Sequence, residues 1–297
     1  MKDDNMQFTL TNNGEGTISL RKFLIEVGVS KRLIARIKQG EGQVRVNQKN
    51  EYWDYQLIDG DEVVLTLPEE PDNDAIHASD EPLNIVFEDE NWLVVDKPAG
   101  MVTVPGPSNE DTTLVNRVKG HLIATGSSSL VPHVITRLDR FTSGLVLLAK
   151  HGFAHSLIAA QLSNGQLEKS YLAIVAGDVK SDQGDIKEPI GKKEGEIRRS
   201  VMAEGKASET TYKVVTRFPD YTLVDVKLVT GRTHQIRVHF DFIHHALVGD
   251  ALYDGPMDKG IERQALHAAK LSFEDPFTGK KLAFESELPD DMARLLK

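Results

Sequence analysis

The chain of 297 residues contains no cysteine. This absence excludes disulfides and thiolate metal ligands, and nothing in the composition indicates an oxidising compartment. No apolar run approaches the ~18 residues that a membrane-spanning helix needs. The N-terminus is polar and acidic, and it lacks the apolar segment of a secretory signal. We therefore expect a soluble, cytoplasmic protein that does not enter a membrane.

Charge is unevenly distributed along the chain. The formal net charge of −10 argues at first against a nucleic-acid partner, because phosphate binding depends on Lys and Arg. However, residues 21–49 carry eight basic and two acidic side chains, whereas residues 59–81 carry nine acidic ones and no Lys or Arg. The basic patch could therefore face RNA, although such charge runs are usually solvated surface.

The length allows one sizeable domain and a second, smaller one. Near the N-terminus, Ser19 and Ser30 are placed to cap two short helices. The second helix would carry Arg32, Arg36 and Lys38 outside an inward apolar stripe, and short strands are expected after it. Residues 68–82 are rich in proline and acids, which predicts an acidic linker that cannot bury enough surface to order itself.

Residues 17–67 resemble the RNA-binding module first known from a small-subunit ribosomal protein, the S-four type. This resemblance implies that Arg32, Arg36 and Lys38 bind RNA. A generic small helix-strand domain is the alternative.

From residue 83 the chain becomes rich in predicted strands. Short apolar or alternating runs are bounded by turn residues, and helical spacing occurs at 113–121, 151–162 and 233–242. This pattern predicts an α+β domain on a mostly antiparallel sheet with dispersed helices. We expect loops at 126–129 and 181–199.

One segment stands out chemically. Asp139 lies between Arg137 and Arg140, just before a Thr-Ser-Gly turn signal and an apolar run that predicts a buried strand. A lone carboxylate held by cations, beside a glycine that admits another backbone or a ligand, suits a reactive acid. The alternative is a structural Arg–Asp pair that ties a loop to the sheet.

The segment at 137–145, Arg-Leu-Asp-Arg-Phe-Thr-Ser-Gly-Leu, resembles the signature of the RluA/RluD-type family of RNA pseudouridine synthases. Residues 88–100, Lys-Ser-Tyr-Leu-Ala at 169–173 and Thr-Gly-Arg-Thr-His-Gln-Ile-Arg-Val-His at 230–239 are similar to other motifs of that family. The resemblance covers about residues 84–297. It implies a catalytic domain at 83–297 with a central cleft, and a reaction that converts uridine to pseudouridine without a cofactor.

The resemblance also implies catalytic residues. Asp139 would be the catalytic carboxylate, Arg237 its ion partner, and Tyr171 the residue that contacts the base. If Thr233 caps a helix, His234 and Arg237 lie three residues apart on one helix face.

Further residues are expected to bind RNA. Arg137 is associated in the family with filling the space that a flipped-out uridine leaves, and on a strand it would share a face with the acid two residues later. Arg232 and His234 are the other RNA-binding candidates near the site. Two departures from the family pattern, Thr136 and Phe141, could change contacts to neighbouring nucleotides.

Other kinds of site are not indicated. His234 and His239 are five residues apart, outside the spacing that brings two metal ligands together, and no metal is expected. Large-subunit ribosomal RNA is the preferred substrate by association with the family, and transfer RNA remains possible. A non-catalytic RNA-binding ribosome-assembly factor and a cofactor-free hydrolase that uses an aspartate are the rival functions. We expect a monomer.

Overall fold

A computed structural model describes residues 6–106 and 111–297. Its first elements form a small N-terminal unit, and they are β1 (Gln7–Thr11), β2 (Ile18–Ser19), α1 (Leu20–Glu26), α2 (Lys31–Lys38), β3 (Gln43–Val46), β4 (Gln56–Leu57) and β5 (Glu62–Thr66). Three strands form an antiparallel sheet in the order β1-β5-β3, so this sheet begins before residue 17. The Ser19 and Ser30 hydroxyls accept hydrogen bonds from backbone N–H groups of α1 and α2, which confirms both predicted caps.

The larger unit is built on a ten-stranded sheet. Its elements are β6 (Ile85–Glu88), β7 (Trp92–Lys97), α3 (Leu114–Ala124), β8 (His133–Val134), β9 (Ser143–Ala149), α4 (Gly152–Ser163), β10 (Glu168–Ala176), β11 (Gln183–Ile186), β12 (Ile190–Gly191), β13 (Ser200–Val201), β14 (Thr210–Arg217), β15 (Tyr221–Leu228), α5 (Gln235–Phe242), β16 (Leu266–Glu274), β17 (Lys281–Glu285) and α6 (Asp290–Ala293).

The main path of this sheet runs β11-β14-β15-β10-β16-β9-β7-β6, with β17 beside β16 and β8 beside β9. The β9–β16 pair is parallel and the other pairs described are antiparallel. The predicted α+β class is therefore confirmed.

Helices cover both faces of the sheet. Along β7, Leu93 and Val95 pack into one core with α3 and α5, whereas Trp92 and Val94 pack into another with α4. This alternation follows from the two-residue period of a strand.

The N-terminal unit packs directly on the larger one. Phe8 on β1 lies 5.0 Å from Phe153 of α4 and 5.3 Å from Phe277, measured between ring centroids. Residues 68–82 contain neither helix nor strand, but Glu70 accepts hydrogen bonds from Ser129 and from the backbone N–H of Gly152. The larger unit thus supplies polar partners that the composition of this acidic segment cannot reveal.

The expectation of a loop at 181–199 is wrong in part. That stretch contains β11 and β12, which pair with β14 and β13. Each is short and has a single apolar side chain, Ile186 or Ile190, so its strand conformation depends on a partner strand rather than on an apolar pattern of its own. Among the described residues, no helix is long and apolar enough to cross a bilayer.

One glycine fixes the position of the Asp139 segment on the sheet. Gly144 is the second residue of β9 and has a φ of +111°, and a Cβ there would lie 2.3 Å from the carbonyl oxygen of Ala268 on β16. Only glycine permits this close approach of the two strands. The Thr-Ser-Gly signal therefore anchors the loop before it.

Candidate active site

Asp139 lies in the loop between β8 and β9, and it lines a cleft of about 820 Å³. Tyr171 on β10 lines the same cleft, and Arg137 and Arg232 do so with exposed side chains. The structure therefore brings four of the predicted site residues to one cleft.

The loop backbone around Asp139 is held on both sides. The Thr103 hydroxyl accepts a hydrogen bond from Leu138 N–H and donates one to the Leu138 carbonyl oxygen, at 3.2 and 2.8 Å. Thr142 N–H then donates to the Asp139 carbonyl oxygen at 3.1 Å, which closes a turn. These bonds fix the acid at the cleft without occupying its carboxylate.

Arg237 is clamped between two carboxylates. Its Nε and a terminal nitrogen donate to Asp250 at 2.6 and 2.8 Å, and its other terminal nitrogen lies 3.4 Å from Asp139 Oδ2. The guanidinium carbon lies 4.8 Å from the centroid of the Tyr253 ring. Asp250 is 1% exposed and Asp139 is 27% exposed, so the first carboxylate fixes the arginine and the second faces the cleft.

The prediction that Thr233 caps α5 is wrong. His234 occupies the N-cap position in a left-handed conformation, with φ of 58°, and the helix begins at Gln235. Instead, the Gln235 side chain accepts hydrogen bonds from Arg232 N–H and the Thr230 hydroxyl. A long amide side chain reaching back from the first helical turn takes the place of the expected cap.

His234 nevertheless reaches the acid. Its Nε2 lies 3.8 Å from Asp139 Oδ2, and its Nδ1 lies 3.0 Å from the Tyr253 hydroxyl. Burial lowers the pKa of His234, so the imidazole is neutral near pH 7. Because the Tyr253 oxygen already accepts from Arg199 N–H, its own proton is available to Nδ1, which leaves Nε2–H facing Asp139.

Tyr171 is 6% exposed and lies where the Asp139 charge acts on it. Burial, and then the Asp139 carboxylate, raise the pKa of its phenol. The hydroxyl therefore keeps its proton at physiological pH. A neutral ring at the cleft can stack on a base and exchange hydrogen bonds with it.

Lys97 was not singled out from the sequence. It is fully buried, and its Nζ donates to the carbonyl oxygens of Met101, Pro98 and Arg140, at 2.9, 3.0 and 3.3 Å. Burial lowers the pKa of Lys97 to about 7. The side chain ties the end of β7 to the residue after Asp139. A lysine two residues after the apolar run at 93–95 was the available signal.

Asp250 and Tyr253 were also missed. Asp250 lies two residues after the buried pair Leu247 and Val248. No local sequence pattern predicts that Asp250 binds Arg237. Within residues 6–106 and 111–297, no cluster of three His, Cys, Asp or Glu side chains could hold a metal ion.

The expectation of a shared strand face for Arg137 and Asp139 is wrong. Residues 136–140 form no strand, because β9 begins only at Ser143. Arg137 is exposed and Asp139 is partly buried. The turn at Asp139 interrupts the strand period on which the expectation relied.

The predicted basic residues of α2 lie apart from the Asp139 cleft. Arg32 and Lys38 are exposed, and the Lys38 ammonium lies 4.9 Å from the centroid of the Trp53 ring. Arg36 donates to Glu41 and to the Glu69 carbonyl oxygen, each at 2.7 Å. Arg36 therefore already has protein partners.

Comparisons with known proteins agree with this geometry. Residues 91–242 match the family model described as RNA pseudouridylate synthase. An uncharacterized RNA pseudouridine synthase of Bacillus subtilis is 38% identical over 281 residues, which cover 94% of this chain and 99% of that protein. Ribosomal large subunit pseudouridine synthase D of Zymomonas mobilis is 40% identical over 252 residues, 79% of this chain and 77% of that protein.

A solved structure shows the same relationship. Human RNA pseudouridylate synthase domain containing 1 superimposes with a TM-score of 0.57 and 25% identity, over 71% of this chain and 85% of that one. A loop-borne acid, a clamped arginine and a buried tyrosine at one cleft thus accompany similarity over most of the sequence. The chain belongs to the RNA pseudouridylate synthase family.

Proposed function

We propose that this RNA pseudouridine synthase acts through Asp139, the carboxylate placed at the ribose of the target uridine. One observation carries the proposal: Asp139 is a partly exposed acid at the cleft, 3.4 Å from an arginine that Asp250 already holds. A structural ion pair would not need a second carboxylate on the same guanidinium.

The reaction breaks the N-glycosidic bond, turns the base, joins it through C5 and removes the C5 proton. Arg237 supplies a fixed positive charge beside Asp139 throughout, because a guanidinium is not deprotonated in proteins. Tyr171 offers a neutral ring and hydroxyl to the detached base. The cleft keeps that base from water while it turns.

We propose large-subunit ribosomal RNA as the substrate. The names of the relatives from Zymomonas mobilis and Nitrosomonas europaea support this assignment. Mapping pseudouridines in total RNA from cells with and without the protein tests it. Loss of a site in large-subunit RNA supports the proposal, whereas loss of a transfer-RNA site alone assigns the other substrate.

We further propose that residues 17–67 form an S-four-like RNA-binding module, joined by an acidic linker at 68–82 to the catalytic domain at 83–297. The exposed cations Arg32 and Lys38 on α2 support this role. The protein would act as a monomer in the cytoplasm, where it would meet its RNA. Sedimentation of the purified protein checks the oligomeric state.

A biochemical test separates the rival functions. The protein is incubated with ribosomal RNA from cells that lack it, and the RNA is digested and analysed for pseudouridine and free uracil. Pseudouridine supports the proposal, free uracil indicates a hydrolase, and neither product indicates a non-catalytic binding protein.

A further inference from the structure

Most cations around the Asp139 cleft are held by the protein itself. Arg237 is bound by Asp250, Lys97 by carbonyl oxygens, and Arg198 by Asp241 and Asp254. Two partly buried cations differ, and they are Lys169 and Arg199. Neither side chain has a hydrogen bond or an ion pair within the residues that the structure describes.

Lys169 lies on β10, two residues before Tyr171. Because side chains alternate along a strand, it projects to the same sheet face as Tyr171, and both line the Asp139 cleft. Its side chain is only partly exposed, and burial alone lowers the pKa of its ammonium. Among the described residues, no carboxylate forms an ion pair with Lys169 that would offset this loss of hydration.

Arg199 lies on the loop before β13 and is linked to His234 through the Tyr253 hydroxyl. Its backbone N–H donates to the Tyr253 hydroxyl at 3.0 Å, which in turn contacts His234. The Arg199 Nε is buried and has no partner in the described part of the chain. His234 in turn places its Nε2 3.8 Å from Asp139 Oδ2, so a chain of contacts leads from Arg199 through Tyr253 and His234 to the acid.

A partly buried cation without a partner is unfavourable in the free protein, because it has lost water without gaining a counter-ion. A bound anion would supply what is missing. Arg137 is also near the site, but it is exposed and therefore solvated. The RNA backbone carries one phosphate per nucleotide, and it is the anion that must pass Asp139 if a uridine is to reach it.

We propose that Lys169 and Arg199 each bind a backbone phosphate of the RNA strand that enters the Asp139 cleft. This assignment rests on the proposed function, since it takes Asp139 as the point that the target uridine reaches. The contact from β10 and the contact from the loop before β13 hold the RNA strand while the target base leaves the stack. They act on binding and position, and not on the bond that is broken.

The test compares Lys169→Met, Arg199→Met and the double variant with the wild-type protein. Each methionine keeps most of the apolar stem and removes the charge. RNA binding is measured by filter retention of ribosomal RNA from cells that lack the protein, between about 50 and 200 mM KCl. Each single variant is expected to reduce the slope of log affinity against log salt by about 0.7, and the double variant by about 1.4.

Matched controls exclude a general effect of lost charge. Lys227→Met removes an exposed lysine from β15, on the sheet face opposite Lys169, and Lys192→Met removes an exposed lysine from the loop that carries Arg199. Both controls should leave the salt slope at the wild-type value. The charge-conserving variants Lys169→Arg and Arg199→Lys should restore most of it.

Turnover distinguishes a phosphate contact from other roles. At saturating RNA, Lys169→Met and Arg199→Met should keep kcat within about twofold while KM rises, because a contact made equally before and during reaction changes binding alone. An unchanged salt slope, or a slope change in only one variant, overturns the proposal. If the wild-type protein makes no pseudouridine in this RNA, the proposed function fails, but the salt slopes still decide whether these residues bind phosphates.

Discussion

Basic side chains occur in two very different settings in this molecule. Beside Asp139, Arg237 is 6% exposed and bound by Asp250 on two nitrogens. On α2, Arg32 is exposed and reaches into solvent. A cation in a fixed position can stabilise a charge that develops at one point during a reaction. A mobile cation can follow a phosphate backbone whose geometry varies. We therefore expect cleft substitutions to change rate or stability, and α2 substitutions to change RNA affinity.

The largest expected effect comes from the acid itself. Asp139→Asn removes the negative charge but keeps the size of the side chain and the backbone turn. If the carboxylate takes part in the reaction, as we propose, pseudouridine formation should fall by about 10³-fold or more. The assay is pseudouridine content of ribosomal RNA after incubation with excess enzyme.

Folding and binding provide the contrast for this variant. Its melting temperature and RNA affinity should stay near wild-type values. Asp220→Asn, at the exposed turn before β15, should retain full activity as a matched control. Substantial isomerisation by Asp139→Asn would remove this residue from the mechanism.

The next effect tests the clamp on Arg237. Asp250→Asn leaves a buried guanidinium without its paired carboxylate, which should lower the free energy of unfolding by about 3 kcal/mol. The rate should also fall by about 10-fold to 100-fold, because Arg237 would no longer be fixed beside the acid. Urea titration and single-turnover assays measure the two effects.

A second arginine clamp sharpens this comparison. Arg263 binds Asp291 at 2.6 and 2.8 Å, and one of its terminal nitrogens donates to the carbonyl oxygen of Phe141. Asp291 is 31% exposed, so Asp291→Asn should cost less stability than Asp250→Asn. Equal losses in both variants would contradict the role of burial in holding Arg237.

The sequence contained much of this site but not its supports. Asp139, Tyr171 and Arg237 lie in long motifs, and the apolar runs around them have clear strand or helix periods. Their meeting at one cleft was inferred from a family resemblance, and the structure brings them together. The left-handed His234 and the Asp250 clamp were not predictable, because both depend on contacts between segments that are distant in sequence.

The N-terminal unit teaches the same lesson on a smaller scale. The caps at Ser19 and Ser30 are local and were predicted, since a hydroxyl needs only the next turn of helix. The strand at Gln7–Thr11 was not predicted, because its short pattern gains stability only from pairing with β5. Likewise, no residue near Arg36 in the sequence indicates that its guanidinium donates a hydrogen bond to the Glu69 carbonyl oxygen.

Lys97 gives a pH-dependent prediction of intermediate size. Burial holds its pKa at about 7, below the ordinary value of 10.5. The unfolded chain therefore binds more protons between these pH values, so this group makes the free energy of unfolding rise with pH across that window. Below about pH 7 the ammonium is charged in both states, and the full cost of burying that charge lowers the free energy of unfolding.

Lys97→Met should remove this contribution. The unfolding free energy of the wild-type protein should rise, relative to that of the variant, by about 1 kcal/mol per pH unit above pH 7. Urea titrations at several pH values measure this change. The variant should also lose activity, because the carbonyl oxygen of Arg140 loses its donor. Parallel pH curves for the two proteins would contradict this prediction, because they would show that Lys97 binds its proton equally in the folded and the unfolded chain.

The smallest expected effect concerns α2, and it completes the contrast with the cleft. Arg32→Met should weaken RNA binding by about fivefold and reduce its salt slope by about 0.7, because one phosphate contact is lost. kcat and the melting temperature should not change, since Arg32 is exposed. Arg36→Met is the matched variant on the same helix, and it should lower stability slightly with little change in salt slope, because Glu41 and Glu69 already occupy that side chain. A loss of kcat in Arg32→Met would mean that α2 takes part in placing the uridine, and the division between fixed cations for chemistry and mobile cations for affinity would then fail.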